Sequence, residues 1–431
     1  MRTTALASHT PARAAASTQA RAHPLRTRHH IVAPSLQIPE AATASVFAAV
    51  RQRGAIARDV IAQVTKLSIA TVNRQVTALL DAGILRERAD LAVSGAIGRP
   101  RVPVEVNHEP FLTLGIHVGA RTTSIVATDL FGRTLDAVET PTPRGGQTQA
   151  LASLAGSARR YLSRWHRRRP LWIGVAIGGV VDSVSGHVDH PRLGWSQAPV
   201  GPVLAETLGL PVSVASHVDA MAGAELLLGM RRAPQPSSSS LYVYARETVG
   251  FALVIGGRVH SPTSGPGTIA ALPVRSEILG GSGQLESTVS DEAVLAAARK
   301  RGIAAAGPGA SMAALLRTAR QGDQPVAVSA RDLLGERARV LGEAVALLRD
   351  MLNPDEVIVG GQAFTEYPEG MQLVEAAFAE RSVLAARDIR VTAFGNRVQE
   401  AGAGVVSLGG LYADPIGALR RSQNRRPEVS A

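Results

Sequence analysis

The stretch VSVASHVDAMAGAE, residues 212–225, sets Ser216, His217, Asp219 and Glu225 where an apolar, strand-like run gives way to an amphipathic helix. An imidazole of ordinary pKa, about 6.5, can take up a proton at neutral pH, so His217 is of the type for general-base work. Asp219 falls in the first helical turn, where the helix dipole favours a carboxylate, and Glu225 reads as an exposed helix residue. A second group, SGHVDHPRLGW, flanks Asp189 with His187 and His190. No fourth ligand is identifiable there, so a polar loop is the reading and no metal is assigned. The third concentration of reactive types is KLSIATVNRQVTALLDAGIL, in which Thr71, Asn73, Arg74, Gln75 and Thr77 share the side opposite Ile69, Val72, Val76, Leu79 and Leu80. Asn, Gln and Arg hydrogen-bond base edges in pairs, and Thr adds a hydroxyl and a methyl. An ordinary solvated face has the same composition.

The elements around that third group decide between the two. Helical periodicity begins near residue 43, with Val46, Phe47 and Val50 on one face, a break at Gly54, and Val60, Ile61 and Val64 on a second short face. A tight turn at Thr65 to Leu67 leads to the third helix, for which Ser68 is the expected N-cap and Gly83 the expected C-cap. ILRERA and RVPVEV then read as two strands of a wing, joined by a connection holding GRPR, Gly98 to Arg101. A proline between Arg99 and Arg101 keeps the backbone extended, a shape suited to a narrow minor groove. The resulting expectation is a winged helix-turn-helix over 41–106 that binds double-stranded DNA through Ser68, Thr71, Asn73, Arg74, Gln75, Thr77, Arg99 and Arg101.

The formal charge of +11 is carried almost wholly by arginine, since Lys66 and Lys300 are the only lysines, and this balance suits a polyanionic partner. No cysteine is present, which removes disulfides, thiolate catalysis and cysteine-ligated metals. The longest apolar run, LWIGVAIGGVV, falls short of the roughly 20 residues of a membrane helix. It reads as a buried strand, and the expected location is the cytoplasm, at the nucleoid when DNA is bound. Residues 1–40 carry five arginines against one acid and read as a disordered basic arm, with 414–431 as a similar flexible tail. RRYLSRWHRRRP, 159–170, reads as a solvated helix end, and RDLLGERARVLGEAVALLRDMLNP as a long amphipathic helix for core or dimer packing.

FLTLGIHVG, TTSIVATDL and RTLDAVETP give three successive strands, followed by a helix near 149–164 and the strand LWIGVAIGG. A second cycle starts at LYVYARETVGFALVIGGRV. This order predicts an α/β chain with a two-lobed ribonuclease H-like domain of the actin and sugar-kinase type, lobe 1 over 111–240 and lobe 2 over 241–413.

The span 43–413 resembles the ROK family of repressors and sugar kinases. The resemblance is carried by the helix-turn-helix, the GRP element, IGVAIGGVVDSVSGHV, the GW of PRLGWSQAP, PVSVASHVDAMAGAELLLG and LNPDEVIVGGQ. It implies a transcriptional regulator, a homodimer or higher homo-oligomer, whose C-terminal part derives from a sugar kinase. The kinase signatures themselves are eroded. The family's Asp-x-Gly-Gly-Thr phosphate loop corresponds to His117-Val118-Gly119-Ala120-Arg121, without the metal-binding acid, and its second glycine loop corresponds to Arg246 through Ala252, keeping only Gly250. The Asn and catalytic Asp correspond to Ser216 and His217. Gly-Glu-x-Gly-His corresponds to Gly267-Thr268-Ile269-Ala270-Ala271, and the zinc loop to Glu277 through Glu286, where the glycines and Glu286 survive and the thiolates do not. No catalytic residue, cofactor or metal is therefore expected, and Leu279 is expected to pack where the metal would lie. A small-molecule effector, if one binds, would meet Ser216, His217, Thr268 and Glu286. Gly360 and Gly361 are expected to serve a tight strand-to-helix turn. The competing readings are a sugar kinase with an appended DNA-binding module and a protein-binding scaffold.

Overall fold

The computed structural model describes residues 30–92, 101–229, 238–262, 265–303, 311–385 and 388–423. Helices α1 (Ala42–Arg53), α2 (Arg58–Thr65) and α3 (Ile69–Asp81) form a trihelical unit around Phe47, Val50, Ile61, Val72, Val76 and Leu79, all buried. Lys66, in the left-handed region at φ 57°, makes the turn between α2 and α3. The Ser68 side chain accepts from the Thr71 amide, as expected of an N-cap. Gly83, at φ 73°, closes α3 with hydrogen bonds from its own amide to Leu80 and from the Ile84 amide to Leu79, a Schellman-type ending. Ile69 departs from the expected stripe. It sits at the first helical position, before the inward face begins, and is half exposed. The wing is an antiparallel pair, β1 (Leu85–Glu87) on β2 (Val104–Val106), to which Ile56 adds a bridge on Val104. Arg86 and Arg88 both bind Glu105, at 2.7 Å each, across this pair.

Lobe 1 opens with β3 (Phe111–Val118), β4 (Thr122–Thr128) and β5 (Thr134–Pro141), then α4 (Gln147–Ser163) and β6 (Arg169–Ile177). A small sheet of β7 (Val180–Asp182), β8 (His187–His190) and β9 (Trp195–Ala198) follows, then α5 (Val200–Leu208), β10 (Val212–Ser216) and α6 (His217–Leu228). The main sheet has the order β10-β6-β3-β4-β5, with β3, β6 and β10 parallel and the β3-β4-β5 meander antiparallel. Lobe 2 repeats the pattern with β11 (Ser239–Ala245), β12 (Val249–Ile255), β13 (Arg258–His260) and the short β14 (Gly267–Thr268). Helices α7 (Leu285–Val289), α8 (Asp291–Lys300), α9 (Met312–Ala319) and α10 (Pro325–Leu352) precede β15 (Glu356–Gly360), α11 (Gln362–Thr365), α12 (Met371–Arg381) and β16 (Ile389–Val391). Its sheet runs β13-β12-β11-β15-β16, with β14 paired to β12. Gly361, at φ 90°, turns β15 into α11; a Cβ there would lie 2.4 Å from the Ala245 carbonyl oxygen, so the glycine pair serves the turn as expected.

Three boundaries differ from those read in the sequence. Helix α13 (Val398–Ala413) leaves lobe 2 and packs across the lobe 1 sheet so closely that a Cβ on Gly174 would lie 2.1 Å from the Ser407 nitrogen. The expected tail is in part helix α14 (Pro415–Gln423), which buries Ala418 and Leu419. The expected arm is ordered from residue 30: Leu36 is 6% exposed, and the segment runs extended along both lobes. The rest of both ends, 1–29 and 424–431, lies outside the described residues.

The trihelical unit is docked on lobe 1. Phe47 meets Tyr412 of α13 with ring centres 6.2 Å apart, and the Arg51 guanidinium lies 4.2 Å from the centre of the same ring. Arg51 also donates to the Leu227 carbonyl at 3.1 Å, at the end of α6. A cation held over an aromatic face and bonded to a helix's last carbonyls gives the interface direction as well as area.

Candidate nucleic-acid interface and interlobe cleft

The outer face of α3 is set by the 3.6-residue period, because burying Val72, Val76 and Leu79 leaves Asn73, Arg74 and Thr77 exposed. None of these three makes a hydrogen bond or ion pair among the described residues. Thr71 is half-buried and engaged with Ser68, whose hydroxyl donates to Thr71 Oγ1 at 2.9 Å. Gln75 is also half-buried, with its Oε1 accepting from the Thr43 hydroxyl of α1, which draws it off the reading face. Of the wing arginines, Arg101 is exposed and ion-paired with Asp59. Arg99 and the rest of 93–100 lie outside the described residues.

The interlobe cleft, about 500 Å³, is lined by the β3-β4 and β11-β12 turns, the starts of β7 and α6, and Glu286 of α7. His117, at the end of β3, is 2% exposed, and neither ring nitrogen has a partner among the described residues. Its ring is parallel to that of His217, 6.1 Å between centres, and His217 packs against Tyr244 at 5.3 Å. Burial, with His217 and Arg246 nearby, pushes the His117 imidazole well below its ordinary range. Burial and the neighbouring His190 push His217 down to about 4. Both rings are neutral at pH 7. A ring held neutral at about 4 is a weaker base than the ordinary imidazole that the residue type alone suggests.

The structure divides the expected effector residues. His217, Thr268 and Glu286 line the cleft, but Ser216 faces a different cavity beyond it. The Ser216 hydroxyl caps α6 by accepting from the Asp219 amide at 3.3 Å. Thr268 Oγ1 accepts from the Ala270 amide at 3.2 Å. Glu286 is held by Arg192 at 2.8 Å and by the Val249 amide at 3.2 Å. Glu225 is not an exposed helix residue: its carboxylate is 4% exposed and latches α6 to lobe 2 through Arg390 at 2.8 Å, the Thr392 hydroxyl and the Ala393 amide. Sequence reading also misses Tyr244 and Gln399 and their link to Arg246, made by Gln399 Nε2 to Tyr244 Oη at 2.7 Å and Arg246 Nη1 to Gln399 Oε1 at 2.9 Å. The three residues come from a strand, a turn and a distant helix, so no local spacing marks the link. His187, Asp189 and His190 form no metal cluster among the described residues, and Asp189 instead binds the Gln197 amide and side chain, each at 2.7 Å. Leu279 is 6% exposed in the lobe 2 core, so the residues of 277–286 do not fit the zinc implied by the family resemblance.

A family model described as ROK family matches residues 113–406. A transcriptional regulator of Mycobacterium tuberculosis is 72% identical over 426 residues, covering 95% of this chain and 96% of that protein. The DNA-binding transcriptional dual regulator NagC of Escherichia coli is 23% identical over 333 residues, 74% of this chain and 80% of NagC. Among solved structures, a ROK family transcriptional regulator, homolog of the E. coli MLC protein, superposes with a TM-score of 0.72 at 22% identity, over 89% of this chain and 98% of that one. A ROK family glucokinase from Streptomyces griseus, in complex with glucose and AMPPNP, superposes with a TM-score of 0.59 at 23% identity, over 69% of this chain and 99% of the kinase. These two likenesses concern the fold, and the regulator's extends over more of the chain.

Proposed function

The chain belongs to the ROK family, and from that premise we propose that it is a sequence-specific DNA-binding transcriptional regulator whose two-lobed domain has given up kinase chemistry. The observation that carries the reading is the α3 face: Asn73, Arg74 and Thr77 are exposed and unpaired among the described residues, on a helix whose other side is locked into a winged unit. In this reading α3 enters the major groove, Arg74 and Asn73 contact base edges, and Arg99 and Arg101 reach flanking minor groove once Arg101 exchanges Asp59 for DNA. A homodimer would set two such units on half-sites, with the exposed Leu347, Met351 and Leu352 at the end of α10 as part of the contact. The protein would work in the cytoplasm, and among the described residues no helix is long and apolar enough to cross a membrane.

Selection of DNA from a random pool with the full chain, at several salt concentrations, tests this. An enriched palindrome with a negative salt slope is expected, altered at its half-sites by Arg74→Ala and in flanking A/T preference by Arg99→Ala. Bulk, salt-sensitive binding without a motif would reduce the reading to a basic surface. The cleft is expected to respond weakly or not at all to glucose and N-acetylglucosamine, because the Thr268 and Glu286 polar groups that line it already have protein partners and Ser216 faces another cavity. Tight binding of either sugar by calorimetry would contradict that, and ATP-dependent phosphorylation of a sugar would restore the kinase reading.

A further inference from the structure

Residues 30–40 form a strap that is hydrogen-bonded to an edge strand of each lobe. On lobe 1, the Val32 amide donates to the Val212 carbonyl at 2.9 Å, the Val212 amide to His30 at 2.7 Å, and the Ser213 hydroxyl to Val32 at 2.7 Å. On lobe 2, the Ile38 amide donates to Gly257 at 2.8 Å and the Val259 amide to Leu36 at 2.9 Å. Between these anchors Leu36 sits against Gly223 of α6, where a Cβ would lie 2.9 Å from its methyl carbon. Beyond Ile38 the chain passes directly into α1 of the DNA-reading unit. A change in lobe separation must therefore stretch or release the segment that leads into that unit.

Under the strap lies a cavity of about 780 Å³, bordered by Pro34 to Gln37, the β7-β8 loop, the start of α6 and β13. Its lining carries the carboxylates of Asp182, Asp189 and Asp219 against one guanidinium, Arg258, and the imidazoles of His187 and His260, an acidic patch in a chain of net charge +11. Asp182 and Asp189 are occupied by neighbouring donors. Asp219 differs: it is 5% exposed, and its Oδ1 is buried with no partner among the described residues. Burial, only partly offset by the Ser261 and Ser216 hydroxyls, pushes its carboxyl up to about 6, as expected of an acid lacking a counter-ion.

We propose that this cavity is a ligand site separate from the interlobe cleft, taking a small organic cation with a primary ammonium or guanidinium group that pairs with Asp219 Oδ1, and that the strap transmits its occupancy to the DNA-reading helices. The transmission step rests on the regulator reading; the binding step does not.

Calorimetry on the full chain, with putrescine and agmatine as probes and 1,4-butanediol as the uncharged control, tests the site. At least one cation is expected to bind saturably and the diol not to bind. Asp219→Asn should weaken binding about tenfold or more. Val184→Trp, at a 76% exposed position on the cavity rim, should do the same by blocking access without touching the core, and covers the case in which Asp219→Asn fails to fold. No binding of either cation at millimolar concentration, equal binding of the diol, or binding unchanged in a folded variant overturns the site. Hydrogen exchange at the Ile38 and Val259 amides tests the strap: a change on ligand binding supports transmission and no change refutes it. A failed DNA selection would sink the regulator reading and leave the calorimetric result standing by itself.

Discussion

The α3 face and the buried linings of the interlobe cleft and the strap cavity both hold polar side chains without partners among the described residues, and the two cases differ in meaning. Asn73 and Arg74 stand in water, which satisfies them at no cost, so the fold is indifferent to their identity and only a partner can require it. His117 and Asp219 stand in the interior, where an unmade hydrogen bond costs about 1–3 kcal/mol, so the fold carries a cost for keeping them. A third case shows what a fully served interior group looks like. Arg337 of α10 is 3% exposed, binds Asp291 at 2.6 Å and donates to the Val289 carbonyl at 2.8 Å. The comparison teaches that missing partners at a surface point outward to a macromolecule, whereas missing partners inside point to a ligand or to lost chemistry.

The largest expected effect separates the served interior group from the unserved ones. Asp291→Ala strips Arg337 of its buried counter-ion and should lower unfolding free energy by about 3–5 kcal/mol, read as a reduced urea midpoint with unchanged slope. A loss below about 1 kcal/mol would mean that water reaches the pair and that interior pairing is not the distinction drawn above.

The next effect is a pH dependence. His217 titrates at about 4 in the folded state and at about 6.5 when unfolded, so between these values the unfolded chain binds more protons and stability falls as pH falls. Asp219, raised to about 6, slopes the opposite way between about 4 and 6, so the wild-type profile alone does not isolate the histidine. His217→Gln does, because it removes the titration of His217 and leaves that of Asp219 in place. Relative to this variant, the wild type should lose on the order of 3 kcal/mol between pH 7 and pH 4, and parallel profiles would show His217 to be freely solvated.

On the DNA side, Arg74→Ala should remove about 1–3 kcal/mol of discrimination at one base position per half-site while leaving the thermal midpoint unchanged, since the side chain supports nothing in the fold. A uniform loss across all sequences with a reduced salt slope would instead place Arg74 on a phosphate.

The same distinction governs what could be read from the sequence. The three helices of the trihelical unit were legible because each buries one face at a fixed period, and the strands of both lobes because their apolar runs are bounded by turns. The outer face of α3 followed from that period by subtraction, except at Thr71, which is half-buried against the Ser68 cap, and at Gln75, whose bond to Thr43 spans two helices. The strap was not legible. IVAPSLQIPE contains two prolines and forms no regular element, and it gains order from the free edges of β10 and β13 and from the packing of Leu36 on α6. Helix α14 was hidden by its arginines, although Ile416, Ala418 and Leu419 carry a short apolar signal. Glu225 was misread because its partner, Arg390, lies 165 positions away. The division of Ser216 from His217 could not be seen either, since adjacent residues on either side of a helix start can face different cavities.

The smallest effect is the one whose sign matters most. If His117 is a remnant of a former phosphate loop, its two unpaired ring nitrogens are a cost with no return, and His117→Phe should leave stability unchanged or raise it by about 1 kcal/mol, because the ring is replaced by one needing no partners. The parallel contact with His217 gives the new ring a face to pack on, and the adjoining cleft gives room for its slightly larger edge. The same variant should leave the selected DNA motif unaltered, since His117 lies in the cleft and not on α3. A loss of 2 kcal/mol or more would show that the imidazole is held by ordered water or a bound molecule. His117 would then rank with Asp219 as a group waiting for a ligand, and the cleft as a working site.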